Sequence, residues 1–483
     1  MNLELMMLGG AILLLLGIFA SKLSSRLGIP AMVLFMVVGM LAGSEGPGGI
    51  LMDNPLLVQS VGVFALSYIL FAGGLDTDWR QIRPVIREGF VLSTIGVGLT
   101  AFLVGWFVHA VLGFSWLEGL LLGSIVSSTD AAAVFAVLRS RNVHLKGNLK
   151  PLLELESGSN DPMAVLLTTT MILLLNNPTY NTLKLIPLVF WQMAIGAAVG
   201  YLLGKVSVLL INRLRLDYEG LYSVFTLTSV PLIYAVASMI KANGFLAVYI
   251  AGLVMGNSAF VQKKSLLRFH DGLAWLMQIT MFTALGLQVF PSHLIPVISI
   301  GIIVAAFLMI VARPLSVMLG LSFSRLTLNE KGLVSWVGLR GSVPIVLATF
   351  PLVAGIDKAD TIFNLVFFIV LTSALLQGSS IPVVARLLKV GADGPTKPFP
   401  LPDSEAMADM SKKMQELHVS AHSPVVGKQL VEISLPKDLL VVYIQRDDEY
   451  LIPHGNSVIT AGDRLFVLAD EKALDTLRLL ING

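Results

Sequence analysis

Four ionisable residues stand inside otherwise apolar stretches of this chain: Asp130, Glu156, Asp161 and Arg340. Charge in such a setting is costly and defaults to function. In Glu156-Ser157-Gly158-Ser159-Asn160-Asp161, Ser157 and Asp161 are four apart and share a helix face. Glu156 and Asn160 share the neighbouring one. Gly158 leaves room for another backbone to approach. Upstream, Ser127-Ser128-Thr129-Asp130 interrupts an apolar helix and leaves the Thr129 carbonyl without its helical donor. A dehydrated alkali cation takes hard oxygen ligands, which Asp161, Asp130, Ser157 and that carbonyl could supply. Arg340 keeps its proton and needs a partner, either Glu156 or a carbonyl freed by a broken helix. That pairing would leave Asp161 free to titrate. Desolvation favours the neutral form of an unpaired carboxyl, so a proton and a cation would compete at residue 161. Alternating exposure of that group to two sides of a membrane would exchange one for the other.

Membrane helices must position these groups. Of the 483 residues, 55% are hydrophobic and 13% charged, against about 25% charged in a soluble domain. Mean hydropathy is +0.81, which assigns most of the chain to the lipid bilayer. The net charge of +2 gives no bias toward nucleic acid, and the lack of cysteine excludes disulfides and thiolate metal sites. A crossing takes about 20 apolar residues. Such stretches fall at about 4–21, 29–43, 56–75, 88–112, 117–139, 150–175, 185–212, 218–240, 243–257, 272–290, 293–322, 330–354 and 361–388. The start, Met1-Asn2-Leu3-Glu4, lacks the basic segment of a cleaved signal, so the first helix is expected to be retained.

Positive charge tests this count. One set of loops holds Lys22, Arg26, Arg80, Arg83, Arg87, Arg139, Arg141, Lys146, Lys150, Arg213, Arg215, Lys263, Lys264, Arg268, Arg325, Lys331, Arg386 and Lys389. The alternate loops hold only Lys184, Lys241 and Lys358. That asymmetry predicts thirteen spans, N-terminus outside and C-terminus inside. Thirteen allows two six-helix halves of opposite orientation around a seventh. The fifth and twelfth spans, equivalent in that scheme, are both interrupted, the latter at Gly338-Leu339-Arg340-Gly341-Ser342-Val343-Pro344. Depth agrees: Asp130 lies roughly 13 Å from Arg139, Asp161 roughly 15 Å beyond Pro151, and Arg340 roughly 13 Å past Lys331. Ser127, Ser128 and Ser159 are expected as helix-packing residues. Lys205 and Arg313 are expected to snorkel to the inner face. The seven histidines form no cluster, and His109, His144, His270 and His293 are expected in or beside loops.

The segments Phe71-Ala72-Gly73-Gly74-Leu75, Ser128-Thr129-Asp130-Ala131-Ala132, Glu156 to Pro162 and Gly338-Leu339-Arg340-Gly341-Ser342 together resemble the bacterial cation/proton antiporters of the NhaP-like branch. The resemblance spans about residues 1–390. It implies an all-α polytopic fold with inverted repeats and broken helices, and a homodimer in the bacterial inner membrane. It also implies a core that moves against a dimerisation domain. In that family Asp161 looks like the aspartate that binds cation and proton, and Thr129, Asp130 and Ser157 like further ligands. Glu156, Asn160 and Arg340 look like supports. Asn160 in place of a second aspartate resembles the electroneutral exchangers. The transported ions would be K+ or Na+ against H+, with no catalytic residue and no resident cofactor.

The chain changes character at Gly391. Residues 391–414, rich in Pro, Gly and acidic residues, read as a linker, and 415–483 as a small cytoplasmic α/β domain. Strands are expected at Leu439 to Ile444 and Arg464 to Leu468, and helices at Gly427 to Ile433 and Glu471 to Ile481. Val426-Gly427-Lys428, Ile452-Pro453-His454-Gly455 and Ala461 to Val467 resemble the C-terminal regulator-of-potassium-conductance domain, called TrkA-C. The resemblance implies pairing and a small-molecule or nucleotide regulator, and it tilts the cation toward K+. A plain dimer-stabilising module is the alternative. Some relatives carry a further C-terminal domain, which would make this chain a shortened form. Two other classes fit less well. An intramembrane aspartyl protease would show Gly-x-Gly-Asp in a span, and a cation channel with a ligand-sensing tail would show a filter such as Thr-Val-Gly-Tyr-Gly; neither sequence occurs.

Overall fold

The computed structural model describes residues 3–393 apart from 53 and 142, and 414–482 apart from 421, 434, 437, 438, 447, 448 and 470. It divides into two compact units, Met1–Gly394 and Pro395–Gly483. Each stretch expected as a span has helix at its place. The helices are α1 (Leu3–Leu27), α2 (Ala31–Ala42), α3 (Pro55–Asp76) and α4 (Trp79–Leu112). The interrupted fifth stretch follows as α5 (Trp116–Ile125) and α6 (Ala131–Ser140). Next come α7 (Leu149–Asn176), α8 (Thr182–Leu214), α9 (Glu219–Met239), α10 (Gly244–Gly256), α11 (Lys263–Gln288) and α12 (Pro291–Gly320). The twelfth stretch divides into α13 (Leu328–Trp336) and α14 (Ser342–Val353), and α15 (Ala359–Leu387) closes the unit.

Among the described residues, seven helices are long and apolar enough to cross a membrane: α1, α3, α4, α8, α9, α12 and α15. Composition explains the absence of α7 and α11 from that set. One carries Glu156, Asn160 and Asp161, and the other begins with Lys263, Lys264, Arg268 and Asp271. That charged beginning, expected as loop up to residue 271, is two turns of helix. His270 therefore lies not beside a loop but buried in α11, with Nε2 2.9 Å from Thr226 Oγ1.

Close helix packing comes from small residues. Gly196, Gly200 and Gly204 recur every four residues on α8 and meet the backbone of Asn243, which caps α10, and of Ala247 and Ala251 within it. Gly74 on α3 meets Tyr249 O of α10, and Gly252 on α10 meets Phe71 O of α3. A Cβ at these positions would force the helices apart. The two interrupted helices begin alike. Ser115 and Thr327 each accept from the third-turn-position N–H, of Glu118 and Glu330, at 3.3 Å, and each glutamate accepts the cap's own N–H at 2.7 Å. This capping box is a start signal visible in the sequence.

At one end of the unit, β1 (Val143–Leu145) lies in the connection between α6 and α7. It pairs antiparallel with β2 (Gly391–Asp393). The first residues of the expected linker are thus a strand anchored to the loop between the two site helices.

The second unit is a four-stranded antiparallel sheet in the order β3 (Met414–His418), β6 (Arg464–Ala469), β4 (Leu439–Arg446), β5 (Glu449–Leu451). The helix α16 (Glu471–Asn482) joins it, and Val441, Ile444, Leu465, Val467, Leu474 and Leu477 fill the core. The helix expected at Gly427 to Ile433 is only a 3-10 turn, Leu430–Glu432. Gly427 is left-handed at φ +84, and Gln429 bridges to Val458, which together leave no room for helical turns. Asp463, fully buried, accepts from Arg446 Nε at 2.8 Å and Nη2 at 2.9 Å, and from Thr460 N and Oγ1 at 2.8 and 2.9 Å. Burial alone would raise its carboxyl pKa, but these bonds outweigh it and hold the group below its ordinary value. A depressed pKa contributes stability that is present above the unfolded value, about 3.9, and lost as pH falls through the folded one. Amide protection factors across 414–482 in the intact protein, with the intrinsic pH dependence of exchange divided out, should therefore fall only below about pH 4. Asp463→Asn should destabilise this unit by about 2 kcal/mol at neutral pH and remove that acid transition.

Candidate functional site

The site forms where two helix interruptions cross. Residues 126–130 separate α5 from α6, and 337–341 separate α13 from α14. Each break frees backbone N–H and C=O groups that an apolar surround cannot satisfy, and the two breaks satisfy one another. Asp130 N donates to Leu339 O at 2.7 Å. Arg340 Nε donates to Val126 O at 2.9 Å, Nη1 donates to Gly338 O, and Arg340 N donates to Ser373 Oγ at 3.2 Å. Gly341 has no Cβ because the Asp130 side chain fills that space.

The third participant is α7. Ser157 Oγ donates to Thr129 O at 3.0 Å and accepts from Ala131 N at 3.1 Å, so it stitches both sides of the first break. Asn160 Nδ2 donates to Thr129 Oγ1 at 2.6 Å, and Asn160 Oδ1 is buried without a partner. Ser128 Oγ donates to Asp161 Oδ1. Asp130 caps α6, accepting from Ala133 N at 3.0 Å. Asp161 is 8% exposed, and among the described residues it makes no salt bridge.

All seven expected residues, Thr129, Asp130, Glu156, Ser157, Asn160, Asp161 and Arg340, converge here. Several details differ from expectation. Of the two partners open to Arg340, the carbonyls hold it. Glu156 instead pairs with Arg313 Nη2 at 2.6 Å, both side chains being almost fully buried. Arg313, expected to snorkel, also donates to Val334 O at 3.3 Å. Its guanidinium is turned into the bundle toward α7 and α13, with the side chain 3% exposed. Ser128, expected to pack, is the hydroxyl on Asp161; its place beside Thr129 in a polar run was the available signal. The Ser157 proton and the Thr129 carbonyl, expected as free ligands, are bonded to each other. Gly158 admits the Tyr249 side chain rather than another backbone.

The charges therefore sort themselves. Glu156 is neutralised by Arg313, Arg340 is held by carbonyls, and among the described residues neither Asp130 nor Asp161 makes a salt bridge. Crossed interrupted helices holding titratable groups inside a helical membrane bundle define a secondary transporter of the broken-helix class.

The chain belongs to the sodium/hydrogen exchanger family. That family's model (sodium/hydrogen exchanger, transmembrane) matches residues 10–387, and the TrkA-C domain matches residues 414–482. The K(+)/H(+) antiporter NhaP of Alkalimonas amylolytica is 39% identical over 97% of this chain and 81% of its own length. The K(+)/H(+) antiporter NhaP2 of Shewanella sp. (strain ANA-3) is 39% identical over 98% of this chain and 82% of its own. The structure of the sodium proton antiporter MjNhaP1 from Methanocaldococcus jannaschii superposes with a TM-score of 0.70 at 25% identity, covering 80% of this chain and 99% of that one. The protein is a multi-pass membrane transporter of the cation/proton antiporter kind, with a mostly helical membrane unit and a small TrkA-C tail.

Removing one partner of the buried ion pair, by Glu156→Gln or Arg313→Met, should lower the stability of purified protein by about 3–5 kcal/mol. The double substitution Glu156→Leu with Arg313→Met should cost less than either single one, as read by thermal melting in detergent.

Proposed function

We propose that this chain exchanges K+ for H+ through Asp161, one cation against one proton, by alternating access. The observation that carries the reading is a buried carboxylate whose described partner is a serine hydroxyl and not a basic residue. Such a group holds a proton or a cation and is released by either. Because one positive charge replaces another, exchange is electroneutral. Asp130 contributes a second carboxylate at the crossing. Thr129 and Ser157 hold the break in shape around it, and Asn160, Glu156 and Arg340 support the helices. The names of the relatives favour K+, and the TrkA-C tail agrees. The sodium proton antiporter of similar fold supports Na+ as a second reading.

In this account thirteen helices cross the bacterial inner membrane with the N-terminus outside, and the protein works as a homodimer. Residues 1–390 form the transport domain, 391–414 a link whose first three residues are tied to β1, and 415–483 a cytoplasmic regulatory domain. A small molecule, with nucleotides among the candidates, acts on that domain.

Sealed vesicles holding a pH-sensitive dye test the reading. Added K+ should dissipate an acid-inside gradient without needing a membrane potential. Asp161→Asn should abolish the response and Asp130→Asn should reduce it at least tenfold, which corresponds to about 1.4 kcal/mol. Running Na+ in parallel ranks the two cations. Full exchange by Asp161→Asn would falsify the assignment.

A further inference from the structure

Tyr249 lies on α10, outside the two interrupted helices and α7, yet its side chain reaches α7. The residue is 3% exposed. Its hydroxyl lies beside Thr77 and makes no hydrogen bond of ordinary geometry. The ring covers Gly158: a Cβ built there would stand 2.6 Å from the hydroxyl oxygen and 2.5 Å from two ring carbons. Gly158 is one helical turn from Asp161 on one side and from Glu154 on the other, so all three share a face of α7. Tyr249 is within electrostatic reach of both acids.

That face also grades inward. The Lys150 side chain is 57% exposed, Glu154 with which it pairs at 3.6 Å is 30% exposed, and Asp161 is 8% exposed. Exposure along this face thus falls from the Lys150 end toward Asp161, and Tyr249 stands over its last turn before Asp161. The backbone that carries the phenol is closely packed, its carbonyl resting against Gly74 of α3. Among the described residues its polar neighbour is Thr77, off ordinary hydrogen-bond geometry, and a buried hydroxyl so poorly satisfied calls for a better partner. Hydrophobic packing alone would be served as well by phenylalanine.

We propose that the Tyr249 hydroxyl is a further oxygen ligand for the transported cation, meeting the partly dehydrated ion on its passage along α7 between Glu154 and Asp161. A neutral oxygen at a fixed position adds coordination without adding charge, so it tunes cation affinity and preference and leaves the one-for-one exchange untouched. Tyr249 is a neutral ligand met by the ion in transit; Asp161 remains the group that binds it in competition with the proton. The inference rests on the Asp161 reading, and Asp161→Asn in the same vesicles tests that reading separately. If Asp161→Asn keeps full exchange, the site is elsewhere, whatever Tyr249 does.

Tyr249→Phe removes the hydroxyl and keeps the ring. Gly158→Ala keeps the hydroxyl and displaces it. Both are measured by vesicle exchange with K+ and with Na+, and by the thermal shift that each cation produces in purified whole protein. For Tyr249→Phe the expected result is a five- to tenfold rise in KM for K+, on the order of one lost hydrogen-bond-strength contact. Vmax should be near wild type, the K+ to Na+ preference altered, and melting without cation unchanged. Gly158→Ala should raise KM in the same direction. An unchanged KM and preference in Tyr249→Phe overturns the proposal. So does a fall in Vmax alone, which would make the ring a mechanical contact. If either variant abolishes exchange, the thermal shift decides: a lost K+-induced shift upholds the ligand role, and a full shift overturns it.

Discussion

The structure depends on backbone groups that have no partner within their own helix. Interrupting a membrane helix strands N–H and C=O groups where water cannot reach them, at a cost of several kcal/mol for each if left alone. Here the residue 126–130 break and the residue 337–341 break supply one another. The Asp130 N–H meets Leu339 O and the Arg340 guanidinium meets Val126 O. Ser157 on α7 closes what remains at Thr129 and Ala131. The crossing is therefore a single hydrogen-bonded unit, and it fixes the depth at which Asp130 and Asp161 stand. Movement of either acid relative to the lipid must carry that unit as a body.

Electrostatics then separates structural from exchangeable charge. Two buried arginines lie side by side: a Cβ on Gly338 would touch both Arg313 and Arg340. Glu156 offsets one and carbonyl dipoles hold the other. The consequence is that, among the described residues, no basic side chain makes a salt bridge with Asp161. A hydroxyl donor, Ser128, can turn to suit either a protonated or a cation-bound carboxyl.

Much of this was legible in the sequence because it depends on linear spacing. Hydropathy predicts the helical stretches, and similar distances along their helices predict that Asp130, Asp161 and Arg340 come together, as they do where the two breaks meet α7. What spacing cannot give is the azimuth around a helix or the helix that faces it. Hence spacing places Arg313 at the inner face and Ser128 in helix packing, whereas Arg313 pairs with Glu156 and Ser128 meets Asp161. Gly158 was correctly singled out as a point of close approach, but the approaching group is a tyrosine from α10. The helix start at Lys263 was missed because its charges look like a loop until the opposite, buried face of α11 is seen.

The central claim is that proton and cation share one carboxylate. Calorimetric titration of purified protein with K+, repeated in buffers of different ionisation enthalpy, counts the protons released per cation bound. The account predicts close to one proton released per cation at pH values where Asp161 is protonated, falling toward zero as the pH rises. Saturable K+ binding with no proton release at any pH would contradict it.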